Sequence, residues 1–197
     1  MQEYVMAGLT EARSCLAWLC NSREAQAALD QMVTGLIGCF QRRGKVLTCG
    51  NGGSFCDAAH LAEEFAGRFK RNRPALAGLC LSDGAFLTCA ANDFGFEQVY
   101  ERGVEALGSP GDILVAFSTS GNSPNIVKAA LQAHQMGIAV YGLLGKDGGR
   151  LKDLCDCSII VPTAGSDRIQ EIHVKVVHLL VEGVERALFP GNYEEAN

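Results

Sequence analysis

Ile113-Leu114-Val115-Ala116-Phe117-Ser118-Thr119-Ser120-Gly121-Asn122-Ser123-Pro124 joins an unbroken apolar run to a loop of Ser, Thr, Gly and Asn, and then to a proline. A short run with no polar alternation reads as a strand covered on both faces. Proline suits the first turn of a helix, where its missing N–H would have had no partner. A second junction of the same kind lies upstream, where Lys45-Val46-Leu47-Thr48 leads into Cys49-Gly50-Asn51-Gly52-Gly53-Ser54. At each, the free N–H groups and positive dipole end of the following helix attract an anion. Both junctions read as places to hold a phosphate.

Working outward, apolar strands are expected near 45–49, 76–81, 113–117, 138–144 and 157–161, with helices beginning near 54, 84, 96, 123 and 167. This alternation predicts a parallel sheet wrapped by helices on both faces. The first forty residues read as two further helices. In the second, Leu29, Met32, Val33, Leu36, Ile37 and Phe40 form an apolar stripe that Gly44 ends. Sheets of this class bind ligands beyond the carboxyl ends of their strands, so both polar loops are expected to face one cleft. No internal repeat or long linker interrupts the pattern, and the tail over 190–197 is expected to fray.

With 197 residues, 22 acidic and 17 basic, the chain is expected to fold as one domain of net charge -5. Its one basic cluster, Arg68 to Arg73, gives nucleic-acid binding little support, and the expected partner is a small molecule. Nine scattered cysteines, several set in apolar runs, suit a reduced cytoplasm better than a disulfide framework. The first residues lack the basic and apolar segments of a signal peptide. No apolar run approaches the roughly 20 residues needed to cross a bilayer, so neither export nor a membrane is expected.

In the 118–123 loop, four hydroxyls fall within six residues and Gly121 lets the backbone approach closely. The plainer alternative is that Ser123 caps the helix and the rest is an ordinary turn; two such loops on one sheet edge favour a ligand. A dinucleotide fingerprint opens at Gly50-x-Gly52, but Phe55 stands where the third glycine belongs and Asp83 comes too late for the ribose. Neither Gly44-Lys45-Val46 nor Gly145-Lys146-Asp147 makes a Walker loop. A simple phospho-ester is favoured over a nucleotide.

After the first loop, His60 and Glu64 share a helix face, with Glu63 beside them and Arg68 one turn on. The spacing suits a metal pair or an acid-base pair, and equally a solvated face with a local His/Glu hydrogen bond. On the last helix, Ile169, Ile172, Val176, Val177 and Leu180 make a core stripe, while Gln170 and His178 lie two turns apart to one side. His178 alone also suits a satisfied buried histidine. A rise of roughly 12 Å over eight helical residues puts joint metal binding by Gln170 and His178 near the limit of reach. The spacing permits a zinc site without requiring one.

Taken together, Gly50-Asn51-Gly52-Gly53-Ser54, His60-Leu61-Ala62-Glu63-Glu64-Phe65-Ala66-Gly67-Arg68, Ala91-Asn92-Asp93-Phe94-Gly95-Phe96, Ser118-Thr119-Ser120-Gly121-Asn122-Ser123 and Asp167-Arg168-Ile169-Gln170-Glu171-Ile172-His173 resemble the bacterial phosphoheptose isomerases of the sugar-isomerase (SIS) superfamily. The resemblance runs from about residue 1 to 189. It implies a three-layer α/β/α sandwich with a five-stranded parallel sheet, flavodoxin-like, preceded by N-terminal helices. It also implies a single SIS domain over 1–197, with residues 1–43 used in packing a homotetramer whose active sites lie at subunit interfaces.

By motif position, Ser54, Ser118, Thr119, Ser120 and Ser123 resemble the family's phosphate cradle, and Asn51 with Gly52 and Gly53 a substrate contact. Arg68, Asn92, Asp93 and Asp167 resemble groups that touch the sugar or order the site. His60, Glu64, Gln170 and His178 match the family's Zn2+ ligands, with Glu64 and His178 also its acid-base pair. The implied reaction converts sedoheptulose 7-phosphate to D-glycero-D-manno-heptose 7-phosphate through an enediol(ate), the first step of ADP-heptose synthesis for lipopolysaccharide core. Other SIS readings are a non-catalytic protein that binds the replication initiator, and an isomerase or sensor for another phosphosugar. The first of these lacks the His/Glu set that stands intact here.

Overall fold

A computed structural model describes residues 2–193. Strands β1 (Val46–Cys49), β2 (Gly78–Cys80), β3 (Ile113–Ser118), β4 (Ala139–Gly145) and β5 (Cys157–Val161) form one sheet in the order β2-β1-β3-β4-β5. Every pairing is parallel, with Cys49 opposite Ala116 and Ala116 opposite Gly142. Helices α1 (Gln2–Asn21), α2 (Arg23–Gln41), α3 (Gly53–Ala66), α4 (Gly84–Phe94), α5 (Val99–Leu107), α6 (Pro124–Gln135) and α7 (Ser166–Leu188) surround it.

Successive side chains of β3 point to opposite faces, which explains its unbroken apolar run. Ile113, Val115 and Phe117 pack with Met32, Leu36, Leu61, Phe65, Val176 and Leu180, from α2, α3 and α7. Leu114 and Ala116 pack on the other face with Val104, Ile126 and Ala130, from α5 and α6. The expected three-layer sandwich is therefore present, with the N-terminal helices ahead of it.

Local chemistry sets the element ends. Ser22 breaks α1 from α2, its hydroxyl accepting from the Ala25 N–H at 3.1 Å. Asp83 caps α4 by accepting from the Phe86 N–H at 2.7 Å, which gives that carboxylate a structural role. The helix expected near 96 is a short 3-10 turn, Phe96–Gln98, with α5 beginning at Val99; Gly95, at φ +89°, breaks the path from α4. Strand β2 is shorter than its apolar run, because the Leu76 N–H bonds to Phe65 O rather than to a strand.

The tail departs from expectation as well. Pro190–Asn192 form a 3-10 turn, and the Tyr193 hydroxyl donates to Glu185 Oε2 at 2.9 Å, so the chain is tied down to residue 193. Residues 194–197, the rest of the tail expected to fray, lie outside the described residues. None of the nine cysteines is disulfide-bonded. Among the described residues no helix is long and apolar enough to cross a membrane.

The strand order places the site. From β1 the chain moves to β2 on one side and then crosses back to β3 on the other. The crevice for a ligand opens where the order reverses, at the carboxyl ends of β1 and β3. Those ends carry the two polar loops.

Candidate active site

The first loop is bound to the helix that follows the second. Asn51 Nδ2 donates to Asn125 Oδ1 and Asn125 Nδ2 donates to Asn51 Oδ1, both at 2.9 Å. Asn125 lies buried in the first turn of α6, and its Oδ1 also accepts from the Ile126 N–H at 3.0 Å. Gly121, at φ +63°, passes so close to Gly148 O that no Cβ would fit. This fixes the turn that aims the serines.

Ser123 does not spend its hydroxyl on a cap bond; its Oγ lies 3.5 Å from Ser118 Oγ. Ser118 Oγ accepts from the Gly121 N–H at 3.1 Å, and Ser120 Oγ accepts from the Asn122 N–H at 3.2 Å. Ser123 stands at the N-cap position of α6 without a side-chain cap bond, which leaves its hydroxyl for another partner. Thr119, Ser120 and Ser123 remain half-buried at the start of α6, where hydroxyls and helix-end N–H groups together suit a phosphate.

Helices α3 and α7 bring three ligand side chains together. His60, Glu64 and His178 each offer a ligand atom, all within 4.8 Å of one another, from half-buried side chains. His60 Nε2 lies 3.3 Å from Glu64 Oε1 and 3.4 Å from His178 Nε2. Two nitrogens bound tetrahedrally to a zinc-sized ion at about 2.05 Å would stand about 3.3 Å apart, so the spacing fits such an ion. Burial first, and then the neighbouring His60, hold the His178 imidazole below the usual histidine value, which leaves it neutral and able to ligate or accept a proton. The Phe69 ring packs on His178, with centroids 5.5 Å apart.

Comparisons with known proteins show the family and the fold. The SIS domain family matches residues 13–145. The phosphoheptose isomerase of Fusobacterium nucleatum is 51% identical over 175 residues, covering 89% of this chain and 90% of its own. The chain belongs to the phosphoheptose isomerase family. Solved phosphoheptose isomerase structures from Neisseria gonorrhoeae (TM-score 0.88, 35% identity, 93% of this chain and 98% of that one) and Francisella tularensis (TM-score 0.90, 31% identity, 94% and 98%) share its fold.

The other residues that the phosphoheptose isomerase resemblance implies lie as follows. The Gln170 amide lies against Gly53, where a Cβ would come within 2.6 Å of it, and its Nε2 donates to Ser54 Oγ at 3.4 Å. Ser54 is itself buried, so its hydroxyl faces α7 more than an open cradle. Asp167 is exposed and pairs with Arg168 at 3.0 Å. Arg68 is exposed and donates to Asn72 at 2.7 Å. Asn92 and Asp93 are exposed at the end of α4 and bonded to each other at 2.8 Å.

Four contributors escaped sequence reasoning: Asn125, Phe69, and the buried pair Arg73 and Glu185, whose Arg73 Nε to Glu185 Oε1 distance is 2.5 Å. Asn125 follows Pro124 directly and its polarity inside an apolar helix face was the available signal. Arg73 and Glu185 carried none, since an Arg in a basic cluster and a Glu near a helix end read as surface groups.

Proposed function

We propose that the chain interconverts sedoheptulose 7-phosphate and D-glycero-D-manno-heptose 7-phosphate, supplying ADP-heptose synthesis for the lipopolysaccharide core. The observation that carries this reading is the meeting of His60, Glu64 and His178 between α3 and α7, in a chain whose α3 starts directly from one of the two polar strand-end loops. Membership of the phosphoheptose isomerase family supplies the substrate class.

The 118–123 loop anchors the distal phosphate through Ser118, Thr119, Ser120, Ser123 and the start of α6, with Ser54 at its margin. Asn51, Gly52, Gly53 and Gln170 line the approach to the reacting carbons, and Arg68, Asn92, Asp93 and Asp167 contact the sugar or close the site in the assembled oligomer. From ketose to aldose, a base takes a proton from C1, giving an enediol(ate) across C1 and C2. Return of a proton to C2 leaves the carbonyl at C1, with hydroxyl protons relocated between O1 and O2. Glu64 and His178 exchange the base and acid roles, which their half-buried setting favours by limiting competition from water.

His60, Glu64 and His178, with Gln170 the further ligand the family resemblance adds, would hold Zn2+, which when bound would supply Lewis acidity at the substrate carbonyl. A homotetramer is supported by the exposed apolar residues Tyr4, Val5, Met6, Leu9 and Leu16 on α1. Residues 1–43 serve that packing within a single SIS domain over 1–197, and nine unpaired cysteines support a cytoplasmic location. The test is incubation of the purified, zinc-supplemented protein with sedoheptulose 7-phosphate. Formation of the heptose 7-phosphate is expected; preference for a pentose or hexose phosphate, or no turnover together with tight binding to a protein partner, contradicts the reading.

A further inference from the structure

The Arg73 and Glu185 side chains are fully buried and paired with each other. Arg73 lies beyond the end of α3, and its guanidinium gathers the carbonyls that the helix leaves open. Its Nη2 donates to Glu64 O at 2.6 Å and its Nη1 to Phe65 O at 2.8 Å and Gly67 O at 3.2 Å. Glu185 stands two helical turns beyond His178 on α7. Its carboxylate also accepts from the Phe69 N–H at 3.3 Å and the Tyr193 hydroxyl at 2.9 Å. Burial acts to raise the Glu185 carboxyl, but these hydrogen bonds outweigh it and hold the group below the ordinary glutamate value.

The contacts converge on the cluster from behind. Arg73 grips the backbone of Glu64 itself, Glu185 belongs to the helix of His178, and Phe69, held by Glu185, packs its ring on His178. A buried ion pair adds little net stability compared with apolar residues of the same size, and its best-attested use is to fix the register of packed elements. Resting on the isomerase reading above, we propose that Arg73 and Glu185 are positioning residues that set how far α3 and α7 slide along each other, and so bring His60 and Glu64 level with His178.

The test replaces the pair as a unit, Arg73→Met with Glu185→Leu, so that no charge is left buried alone; Glu185→Gln is the near-isosteric single change. Three quantities are measured: the unfolding midpoint of the metal-free protein, zinc affinity against a chromophoric chelator, and kcat and KM for sedoheptulose 7-phosphate. The double variant is expected to fold, with a midpoint below the parent's because Glu64 O and the Phe69 N–H lose their partners. Its zinc affinity falls about 10–100-fold, the range seen when groups behind metal ligands are removed. Its kcat falls in step, while KM, governed by the separate phosphate loop, stays within about twofold. Glu185→Gln leaves the buried Arg73 charge unpaired, so its unfolding midpoint is expected to fall further than the double variant's, with a loss of zinc affinity in the same direction.

Parental zinc affinity and kcat in the folded double variant overturn the proposal. So does a double variant that fails to fold, since that assigns the pair to stability. If the parent binds zinc but isomerises no phosphosugar, the functional reading has failed while zinc affinity still decides the positioning role. A parent that neither binds zinc nor turns over overturns both.

Discussion

Asn51 and Asn125 face each other amide to amide, each donating to the other at 2.9 Å, and so lock the loop after β1 to the first turn of α6, directly after the serine loop. The helix carrying His60 and Glu64 begins just after Asn51, and the serine loop ends just before Asn125. The phosphate anchor and the chemistry are thus held at a fixed separation.

Asn125→Leu keeps the volume but removes both amide bonds and the contact to the Ile126 N–H. It is expected to lower stability by about 2 kcal/mol, the usual result of leaving buried polar partners unpaired. Urea unfolding measures that loss. Steady-state kinetics should show KM for the phosphosugar raised about tenfold, as one lost hydrogen-bonded contact implies. An unchanged KM contradicts the role of the pair in spacing the two loops.

Glu64→Gln and His178→Ala should each abolish isomerisation and leave the far-ultraviolet circular dichroism unchanged. Both side chains are half-buried and outside the main core, so truncation is expected to change the stability of the metal-free protein by no more than about 1 kcal/mol. Near-parental turnover in either variant refutes the role assigned to that residue.

A strong chelator should remove activity, and stoichiometric zinc should restore it, because two imidazole nitrogens and a carboxylate oxygen converge at zinc-compatible distances. The metal-free protein should also unfold at a lower temperature, a shift measurable by calorimetry. Full activity after exhaustive chelation contradicts the metal reading.

His173 is buried and lies 3.0 Å from Leu144 O, and burial pushes its pKa down to about 4 despite that hydrogen bond. The unfolded chain binds a proton near pH 6.5 that the folded chain refuses, so this contribution is complete above 6.5 and is lost as pH falls towards 4. The loss amounts to about 3 kcal/mol. Asp57 acts oppositely: burial raises its carboxyl to about 6, so its ionisation weakens the fold as pH rises from about 4 to 6. Denaturant unfolding of the metal-free protein between pH 4 and 7 should show Asp57→Asn more stable than the parent at pH 7, with the advantage vanishing near pH 4. His173→Gln should flatten the acid limb, and an unchanged limb contradicts the assignment.

Leu9→Lys places a charge among the exposed apolar residues of α1. Light scattering should report a tetramer for the parent and smaller species for this variant, since a charge desolvated at an interface opposes association. A monomeric parent contradicts the proposed assembly.

The elements were legible because their signals are local. Val46, Leu47 and the 113–117 run announce buried strands, and the 3.6-residue stripe of Met32, Leu36 and Phe40 announces a helix. Strand order was not legible in any one segment and came only with the resemblance, whose flavodoxin-like order, with β1 between β2 and β3, is the one found. In the site, His60 and Glu64 declare themselves by spacing, whereas His178 acquires meaning through a partner on a distant helix. Arg73 and Glu185 were illegible for the same reason: each reads as a surface charge until the fold buries one against the other. Tyr193 escaped because one hydrogen bond to Glu185 holds a segment whose composition resembles a loose tail.

The most direct test of isomerisation at the Glu64 and His178 centre is turnover of sedoheptulose 7-phosphate in D2O, followed by proton NMR. The zinc-loaded parent should produce the heptose 7-phosphate with deuterium at C2, while Glu64→Gln and His178→Ala produce neither aldose nor label. Substrate recovered unlabelled and unconverted from the parent, or a labelled aldose from either variant at the parental rate, would contradict the account.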